Sequence, residues 1–313
     1  MIFKINQQGL LNRNVITSQI MHPLNPYYNR YDLKRLIKFH PLLQKHIILN
    51  PSNEETIDFS SSVAVYALNK AILLADFKLD NYDLPIGYLI PPIPGRLDYL
   101  LHIRDFLSEK FNTSQNQQLR GLDIGTGANG IYCILGAQFF NWKMIGIDSD
   151  EKAIEIANNN IQHSDELKNK VKLYHQENKS FLFKNIIKSC DLFDFIVCNP
   201  PFHISKEEAI KGSLRKLNNL GSKSINTEFK LNFEGQANEL WCNGGEVLFI
   251  KRLIKESLMF KHQVKVFSTL VAKANSLIII EKQLNKAKAN FYIIPANLGN
   301  KKGRYVMWWF GDQ

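Results

Sequence analysis

From Leu119 onward, short apolar runs alternate with longer amphipathic segments. The apolar runs that we interpret as strands cover residues 119–124, 143–148, 171–175 and 193–198. Residues 150–162, between the second and third runs, carry apolar side chains at helical spacing. Strands that alternate with helices predict a mainly parallel sheet covered by helices. Three more strands are predicted at residues 263–271, 289–296 and 303–310.

Amphipathic helices are also predicted upstream of the sheet. One covers residues 32–39. A second follows serines that suit an N-cap, and its apolar positions are Val63, Ala67, Leu68, Ala71 and Leu74. A third follows a proline-rich turn, with apolar positions Leu97, Leu101 and Leu107. A polar linker, residues 112–118, leads from it to the first strand.

The beginning of the chain differs in composition from the rest. It is polar, basic and rich in turn residues, and its apolar content is thin. We therefore predict an N-terminal extension, residues 1–58, attached to a single catalytic domain, residues 59–313. No internal repeat is present.

Composition narrows the class of protein. The chain has 313 residues, is 45% hydrophobic and carries a formal net charge of +10. This excess suits a polyanionic partner, although an ordinary basic protein would have it too. Its four cysteines form no C-x-x-C pair and three of them sit inside apolar runs, so we expect buried free thiols, with neither disulfides nor a metal site. No apolar run reaches membrane-spanning length and no signal peptide is evident, so we expect a soluble cytoplasmic protein.

A glycine-rich turn follows the first predicted strand. The stretch LDIGTGANGIY contains G-x-G-x-x-G at Gly125, Gly127 and Gly130. Glycines there let the backbone turn tightly and approach a nucleotide closely. Asp148 ends the next strand, where a carboxylate can accept hydrogen bonds from both ribose hydroxyls. The pattern fits NAD or S-adenosylmethionine, or a tight turn without a ligand.

A second motif follows the fourth strand. Asn199, Pro200, Pro201 and Phe202 stand where a parallel-sheet enzyme binds its ligand, outside the carboxyl ends of the strands. The Asn199 side-chain carbonyl and the Pro200 main-chain carbonyl can accept both hydrogens of a planar amino group, while Phe202 stacks on the base. The prolines stiffen the loop. This chemistry favours methyl transfer to nitrogen; the plain alternative is a Pro-Pro turn.

Asn-Pro-Pro-Phe in this position resembles the amino-methyltransferases of the class I S-adenosylmethionine fold. The blocks RYDLKRLIK, IPPIPGRLDYL, LDIGTGANGIYCILGA, CNPPFH and NELWCNGGEVLFIKRLIKES resemble one branch, the bacterial 23S ribosomal RNA adenine-N6-methyltransferases (the RlmF family). The eukaryotic small-nuclear-RNA adenine methyltransferase is similar at a greater distance. The resemblance runs from about His22 to the C-terminus.

The resemblance implies a Rossmann-like α/β fold with a mainly parallel seven-stranded sheet and helices on both faces. It implies transfer of a methyl group from S-adenosylmethionine to N6 of an adenine in large-subunit ribosomal RNA, free or in an assembly intermediate, by a monomer. The base would be held by Asn199, Pro200, Pro201 and Phe202. The cofactor would be held by Arg96, Asp123, Gly125, Gly127, Asp148 and Asn199, with Arg96 on its carboxylate. Gln176 or Asn178 would contact its adenine ring.

RNA contacts are expected outside this site. The loop 211–235 is polar and basic, and we predict phosphate contacts there and in the extension, by Arg30, Lys211, Arg215, Lys216 and Lys223. The N-terminal block HPLNPYYNRYD departs from the family pattern at Leu24, Tyr27 and Asn29, which puts its own RNA contacts in question.

Rival functions remain at this point. The same chemistry could act on another RNA, on DNA adenine or on protein glutamine. A non-catalytic RNA-binding module could keep the fold, although it would have no use for an intact glycine turn, Asp148 and Asn199 together. A dehydrogenase is disfavoured because the sequence offers no hydride-transfer partner. We interpret the chain as an RNA adenine-N6-methyltransferase.

Overall fold

A seven-stranded sheet forms the centre of the computed structural model, which describes residues 21–85, 87–114, 116–201, 245–298 and 301–311. Its strands are β3 Arg120–Ile124, β4 Lys143–Asp148, β5 Val171–His175, β6 Phe193–Cys198, β7 Val264–Val271, β8 Asn290–Leu298 and β9 Lys301–Trp309. They lie in the order β5-β4-β3-β6-β7-β9-β8, and β9 runs antiparallel to both of its neighbours. The other pairings in this sheet are parallel. The predicted class I Rossmann-like fold and all seven strands are confirmed.

Helices cover the sheet, and for some of them a side chain at the N-cap accepts hydrogen bonds from the free N–H groups of the first turn. The described helices are α1 Leu33–Phe39, α2 Ser62–Asp76, α3 Ile93–Phe111, α4 Ile131–Phe139, α5 Glu151–Ile161, α6 Asp165–Lys170, α7 Gly245–Ser257 and α8 Ala274–Lys286. Short 3-10 turns span Pro41–His46 and Leu258–Phe260. Asp32, Ser61 and Asp150 accept backbone hydrogen bonds as N-caps of α1, α2 and α5.

Apolar residues from the helices and the sheet form two large cores. One contains Leu97, Leu101 and Leu107 of α3, which are fully buried, as predicted. The other surrounds Phe183, Phe267 and Trp308. The sheet is therefore buried on both faces, as a parallel sheet requires.

The apolar stripe predicted for α2 is only partly correct. Ala67, Leu68 and Ala71 are buried, whereas Val63 is 40% exposed and Leu74 is only half-buried. The buried face is centred on Ala64 and Ala71, so Val63 and Leu74 lie at its edge.

The described part of the N-terminal extension packs on the main body. Tyr27, Leu33, Leu36 and Ile57 belong to the same core as α2 and α3. A small antiparallel hairpin, β1 Ile47–Leu49 and β2 Glu55–Ile57, follows the first 3-10 turn. The sequence motifs did not predict this hairpin. The division of the chain at residue 58 remains a prediction.

Two further expectations concern thiols and membranes. Cys133 and Cys198, both inside apolar runs, are free and buried as expected, and Cys190 is free and exposed; Cys242 lies outside the described residues. Within the described ranges, no helix combines the length and apolarity needed to cross a membrane.

Close packing under β3 generates a stability prediction. A methyl group added at Gly121 would lie 2.3 Å from Cζ of Phe195 and 2.8 Å from Sδ of Met144. Gly121→Ala should therefore lower the free energy of unfolding by about 1–3 kcal/mol, measured by urea denaturation. Phe195→Leu in the Gly121→Ala background should recover part of this loss by making room. An unchanged free energy of unfolding in Gly121→Ala would contradict the packing.

Candidate active site

The glycine-rich turn between β3 and α4 adopts the backbone conformation that its sequence predicts. Gly125, Gly127 and Gly130 have φ values of +74°, +62° and +57°, in the left-handed region that favours glycine. A Cβ atom at Gly125 would meet nothing within 4 Å. The turn therefore borders open space at the carboxyl end of β3, where a ligand can approach the backbone closely.

Asp148, at the end of β4, is tied to this turn. Its Oδ2 accepts a hydrogen bond from the Gly127 N–H at 2.9 Å, and its Oδ1 accepts one from the Asp150 N–H at 2.9 Å. Burial raises the pKa of Asp148, and these backbone donors lower it again in part. The residue is half-buried, and each carboxylate oxygen keeps a lone pair for a further donor such as a ribose hydroxyl.

Asp123 lies under the same turn and has unmet hydrogen-bonding capacity. Both of its carboxylate oxygens are buried without a hydrogen-bond partner among the described residues. Burial raises the pKa of Asp123 to about 7. The Thr126 side chain and the charge of Arg96 lower the pKa again in part. A cationic ligand placed against this carboxylate would relieve the desolvation cost.

Arg96 supplies a positive charge near the Asp123 carboxylate. It lies buried in the first turn of α3, and its Nη1 donates to the Tyr132 hydroxyl at 3.2 Å. Burial raises the pKa of Tyr132 to about 12, so this hydroxyl stays neutral and leaves the guanidinium charge available. Arg96 beside Asp123 offers one cation and one anion, which suit the two ends of an α-amino-acid zwitterion.

Asn199 directly follows β6. Its Oδ1 is buried and has no hydrogen-bond partner in the described part of the chain. Because Ile124 pairs with Cys198, Asn199 and Gly125 emerge side by side from neighbouring strands. Pro200 is buried and Pro201 half-buried beside them. A buried carbonyl without a donor is costly, and an amino group of a ligand would satisfy it.

The predicted RNA-contacting residues and Phe202 either lie on the surface or fall outside the described residues. Arg30 lies on the surface, where its Nη1 is 2.6 Å from Oε1 of Glu54. Phe202, Lys211, Arg215, Lys216 and Lys223 lie outside the described residues. Nothing in the described ranges groups three or more metal-ligating side chains.

The two side chains predicted to reach a cofactor's adenine ring are engaged within their own loop. Gln176 is buried and its Nε2 donates to the Lys184 carbonyl at 2.9 Å, while its Oε1 accepts from the Asn178 N–H. Asn178 Oδ1 accepts from the Ser180 N–H at 2.9 Å. Both residues therefore shape the loop after β5, and their role toward an adenine ring remains a prediction.

The sequence motifs did not single out Tyr132. It lies in the first turn of α4, two residues after Gly130, and it contacts Arg96 through both its hydroxyl and its ring. Its position immediately after the glycine-rich turn could have indicated a residue near the cofactor. Its contact with Arg96 could not be inferred, because the two residues are 36 positions apart in the sequence.

The raised pKa of Asp123 leads to a pH prediction. Its pKa moves from 3.8 to about 7 on folding, so the protein should lose stability, relative to Asp123→Asn, as pH rises between these values. The difference in unfolding free energy between the two proteins should change by roughly 2–4 kcal/mol from pH 4 to pH 8. Urea unfolding at several pH values measures it, with the exposed-site variant Asp165→Asn as a control. Parallel pH profiles for the wild type and Asp123→Asn would contradict the assignment.

Several known proteins are similar in sequence to this chain over nearly its whole length. The RNA methyltransferase family matches residues 15–312. Ribosomal RNA large subunit methyltransferase F of Christiangramia forsetii is 46% identical over 290 residues, which cover 93% of this chain and 100% of that protein. The protein of the same name from Desulfotalea psychrophila is 41% identical over 305 residues, which cover 96% of this chain and 98% of that protein.

Solved structures of one human protein share the fold. The catalytic domain of human METTL16 in complex with MAT2A 3'UTR hairpin 1 has a TM-score of 0.77 and 27% identity, covering 94% of this chain and 97% of that chain. The N-terminal domain of human METTL16 in complex with SAH has a TM-score of 0.73 and 25% identity, covering 93% of this chain and 99% of that chain. Together with the sequence matches, this shows that the chain belongs to the RNA methyltransferase family that includes ribosomal RNA large subunit methyltransferase F.

Proposed function

We propose that this enzyme transfers a methyl group from S-adenosylmethionine to the exocyclic N6 of an adenine in large-subunit (23S) ribosomal RNA. One observation carries the proposal: the Asn199 side-chain carbonyl is buried with no donor among the described residues, beside a glycine-rich turn that borders open space. An exocyclic amino group supplies the missing donor. The names of the two relatives, ribosomal RNA large subunit methyltransferase F, support the choice of substrate.

The site offers a polar partner for each of three groups of the cofactor: its α-ammonium group, its α-carboxylate and its ribose hydroxyls. Asp123 binds the α-ammonium group, since its oxygens have no hydrogen-bond partner in the described ranges and burial disfavours its unpaired charge. Arg96 takes the α-carboxylate through its planar fork. Asp148, held in place by Gly127 and Asp150, accepts from the ribose hydroxyls. S-Adenosylmethionine supplies an electrophilic methyl sulfonium, and the complex of human METTL16 with SAH supports this identity of the cofactor.

The target base is oriented by the residues that follow β6. Asn199 accepts one hydrogen of the amino group on its side-chain carbonyl, and the Pro200 main-chain carbonyl accepts the other. These contacts direct the nitrogen lone pair toward the methyl group, while Pro201 stiffens the loop. The nitrogen becomes acidic once it is methylated, so it loses its proton to water and no general base is needed.

RNA recognition extends beyond the target base. The complex of human METTL16 with an RNA hairpin and the net charge of +10 both support a polyanionic substrate. We retain residues 1–58 as an RNA-contacting extension, with phosphate contacts by Arg30, Lys211, Arg215, Lys216 and Lys223. Arg30 would exchange its surface partner Glu54 for phosphate. The cofactor and base groups all come from one chain, so we infer that a monomer is active.

A substrate panel tests this function. The purified protein is incubated with labelled S-adenosylmethionine and equal amounts of unmodified 23S RNA, 16S RNA, duplex DNA or a glutamine-containing peptide. Transfer should occur to 23S RNA, and nucleoside mass analysis should identify the product as N6-methyladenosine. Transfer to the peptide or DNA instead would replace the proposed substrate. Cofactor binding without transfer to any of them would favour a non-catalytic module.

The buried side-chain carbonyl of Asn199 generates a prediction for the rate of methyl transfer. Asn199→Ala should lower the single-turnover rate of methyl transfer by about 10²-fold, because it removes a hydrogen-bond partner of the reacting nitrogen. The exposed-site variant Asn169→Ala serves as the control, and its rate should match the wild type. A wild-type rate in Asn199→Ala would mean that the loop is architectural and the amino group is bound elsewhere.

A substitution of Asp148 tests cofactor binding separately from RNA binding and methyl transfer. Asp148→Asn keeps the size of the side chain but removes its charge and turns one accepting oxygen into an amide nitrogen, which cannot accept a hydrogen bond from the ribose or from the turn. Affinity for S-adenosylhomocysteine should fall by about 10- to 100-fold in calorimetric titration. NAD should bind neither protein. Unchanged affinity for S-adenosylhomocysteine, or preferred binding of NAD, would remove Asp148 from the proposed ribose site.

A further inference from the structure

The segment before α1 folds into the protein. Asn25 and His22 are only 2% and 7% exposed. The Asn25 N–H donates to the His22 carbonyl at 2.8 Å, and the Tyr28 N–H donates to the Asn25 carbonyl at 3.0 Å, so the segment forms consecutive turns. Tyr27 is buried as well, and its hydroxyl donates to Asp76 Oδ2 at 2.8 Å. These side chains of the N-terminal block face the protein and are withdrawn from any RNA.

Two contacts from this segment reach α3 on either side of Arg96. The Asn25 side-chain amide donates to the Pro94 carbonyl at 2.9 Å. The His22 main-chain N–H donates to Asp98 Oδ1 at 2.6 Å. Pro94 and Asp98 lie one helical turn apart in α3. In the sequence, Arg96 stands between them.

The orientation of the Asn25 amide is determined by its own surroundings. Its Oδ1 accepts from the Tyr27 N–H at 3.1 Å, so its Nδ2 is the atom that faces the Pro94 carbonyl. An aspartate in this place could still accept from Tyr27 but, when ionised, could not donate to Pro94. The two functions of the side chain can therefore be separated by one substitution.

The start of α3 depends on such outside contacts. Its N-cap is Pro92, which makes no side-chain capping bond, and proline lacks a backbone donor. The Pro92 carbonyl accepts the Arg96 N–H at 3.1 Å, and neighbouring carbonyls also accept hydrogen bonds from other elements. Asn69 Nδ2 donates to the Pro91 carbonyl at 2.6 Å, and the Tyr305 hydroxyl to the Gly95 carbonyl at 3.4 Å.

We propose that Asn25 is a positioning residue for Arg96, which binds the carboxylate of the cofactor. This rests on the proposed function, because it assumes that role for Arg96. A bidentate ion pair requires accurate placement of the guanidinium, so a shift in the first turn of α3 weakens carboxylate binding. The N-terminal block thus couples the extension to the cofactor site.

Two ligands that differ only in the amino-acid part separate this role from general stabilisation. S-Adenosylhomocysteine has the carboxylate, whereas 5'-methylthioadenosine lacks it and cannot bind Arg96. In calorimetric titration at pH 8, Asn25→Asp should bind S-adenosylhomocysteine about tenfold more weakly than the wild type. Its affinity for 5'-methylthioadenosine should stay within about twofold, because no contact of that ligand depends on Arg96.

Asn160 provides a matched control. It is also 2% exposed, its Oδ1 accepts from the Asp83 N–H, and its Nδ2 donates to the Asp83 carbonyl, both at 2.7 Å. Asn160→Asp removes the same kind of bond in the same kind of environment but away from α3. It should leave the ratio of the two affinities unchanged. If Asn25→Asp does not fold, Asn25→Ala replaces it in the same titrations.

Arg96→Met distinguishes failure of this inference from failure of the proposed function. If Arg96→Met selectively weakens S-adenosylhomocysteine but the Asn25 variants do not, Asn25 has no positioning role. If Arg96→Met has no selective effect, the assignment of Arg96 itself is wrong. The double variant Asn25→Asp, Arg96→Met should bind S-adenosylhomocysteine no more weakly than Arg96→Met alone. An additive loss would overturn the coupling.

Discussion

Buried oxygen atoms without hydrogen-bond donors are the central physical constraint in this protein. Among the described residues, both oxygens of Asp123 and the side-chain carbonyl of Asn199 are in this condition. Each costs folding free energy, because water is lost and no protein group replaces it. These oxygens belong to residues at the ends of two neighbouring strands, β3 and β6. Their shared position indicates a site that ligands complete.

The topology of the sheet explains why these atoms come together. β3 lies between β4 and β6, so the glycine-rich turn, Asp148 and Asn199 all emerge at one edge. Asp148 then has two roles, because it holds the turn through Gly127 and keeps lone pairs for a ligand. Arg96 comes from outside the sheet, on a helix whose start is bound by the N-terminal segment, α2 and β9. The cofactor site therefore depends on elements distant in sequence.

Sequence patterns predicted the features that depend on residues close together in the chain. The seven strands followed from apolar runs, and the glycine-rich turn followed from residues that tolerate positive φ. The positions of Gly125, Asp148 and Asn199 could be inferred because parallel strands present their carboxyl ends at one edge. The unpaired state of Asp123 could not be inferred in this way, since it depends on what neighbouring elements fail to supply.

Long-range contacts account for most of what the sequence did not predict. Asn25 and Pro94 are 69 residues apart, and neither carries a motif for the other. Val63 lies at the edge of the buried face of α2, although its spacing is that of a core position. Gln176 and Asn178 carry the polar groups expected for a ligand but use them within their own loop. Tertiary packing determines which hydrogen-bond donor pairs with which acceptor.

Mapping of N6-methyladenosine in cellular ribosomal RNA tests the central claim most directly. RNA is compared from cells with the intact gene, cells without it, and cells without it that are supplied with wild-type protein or Asn199→Ala. The account predicts that one adenine of 23S RNA loses its methyl group on deletion and regains it only with the wild-type protein. An unchanged pattern of N6-methyladenosine on deletion, or full restoration by Asn199→Ala, would contradict it.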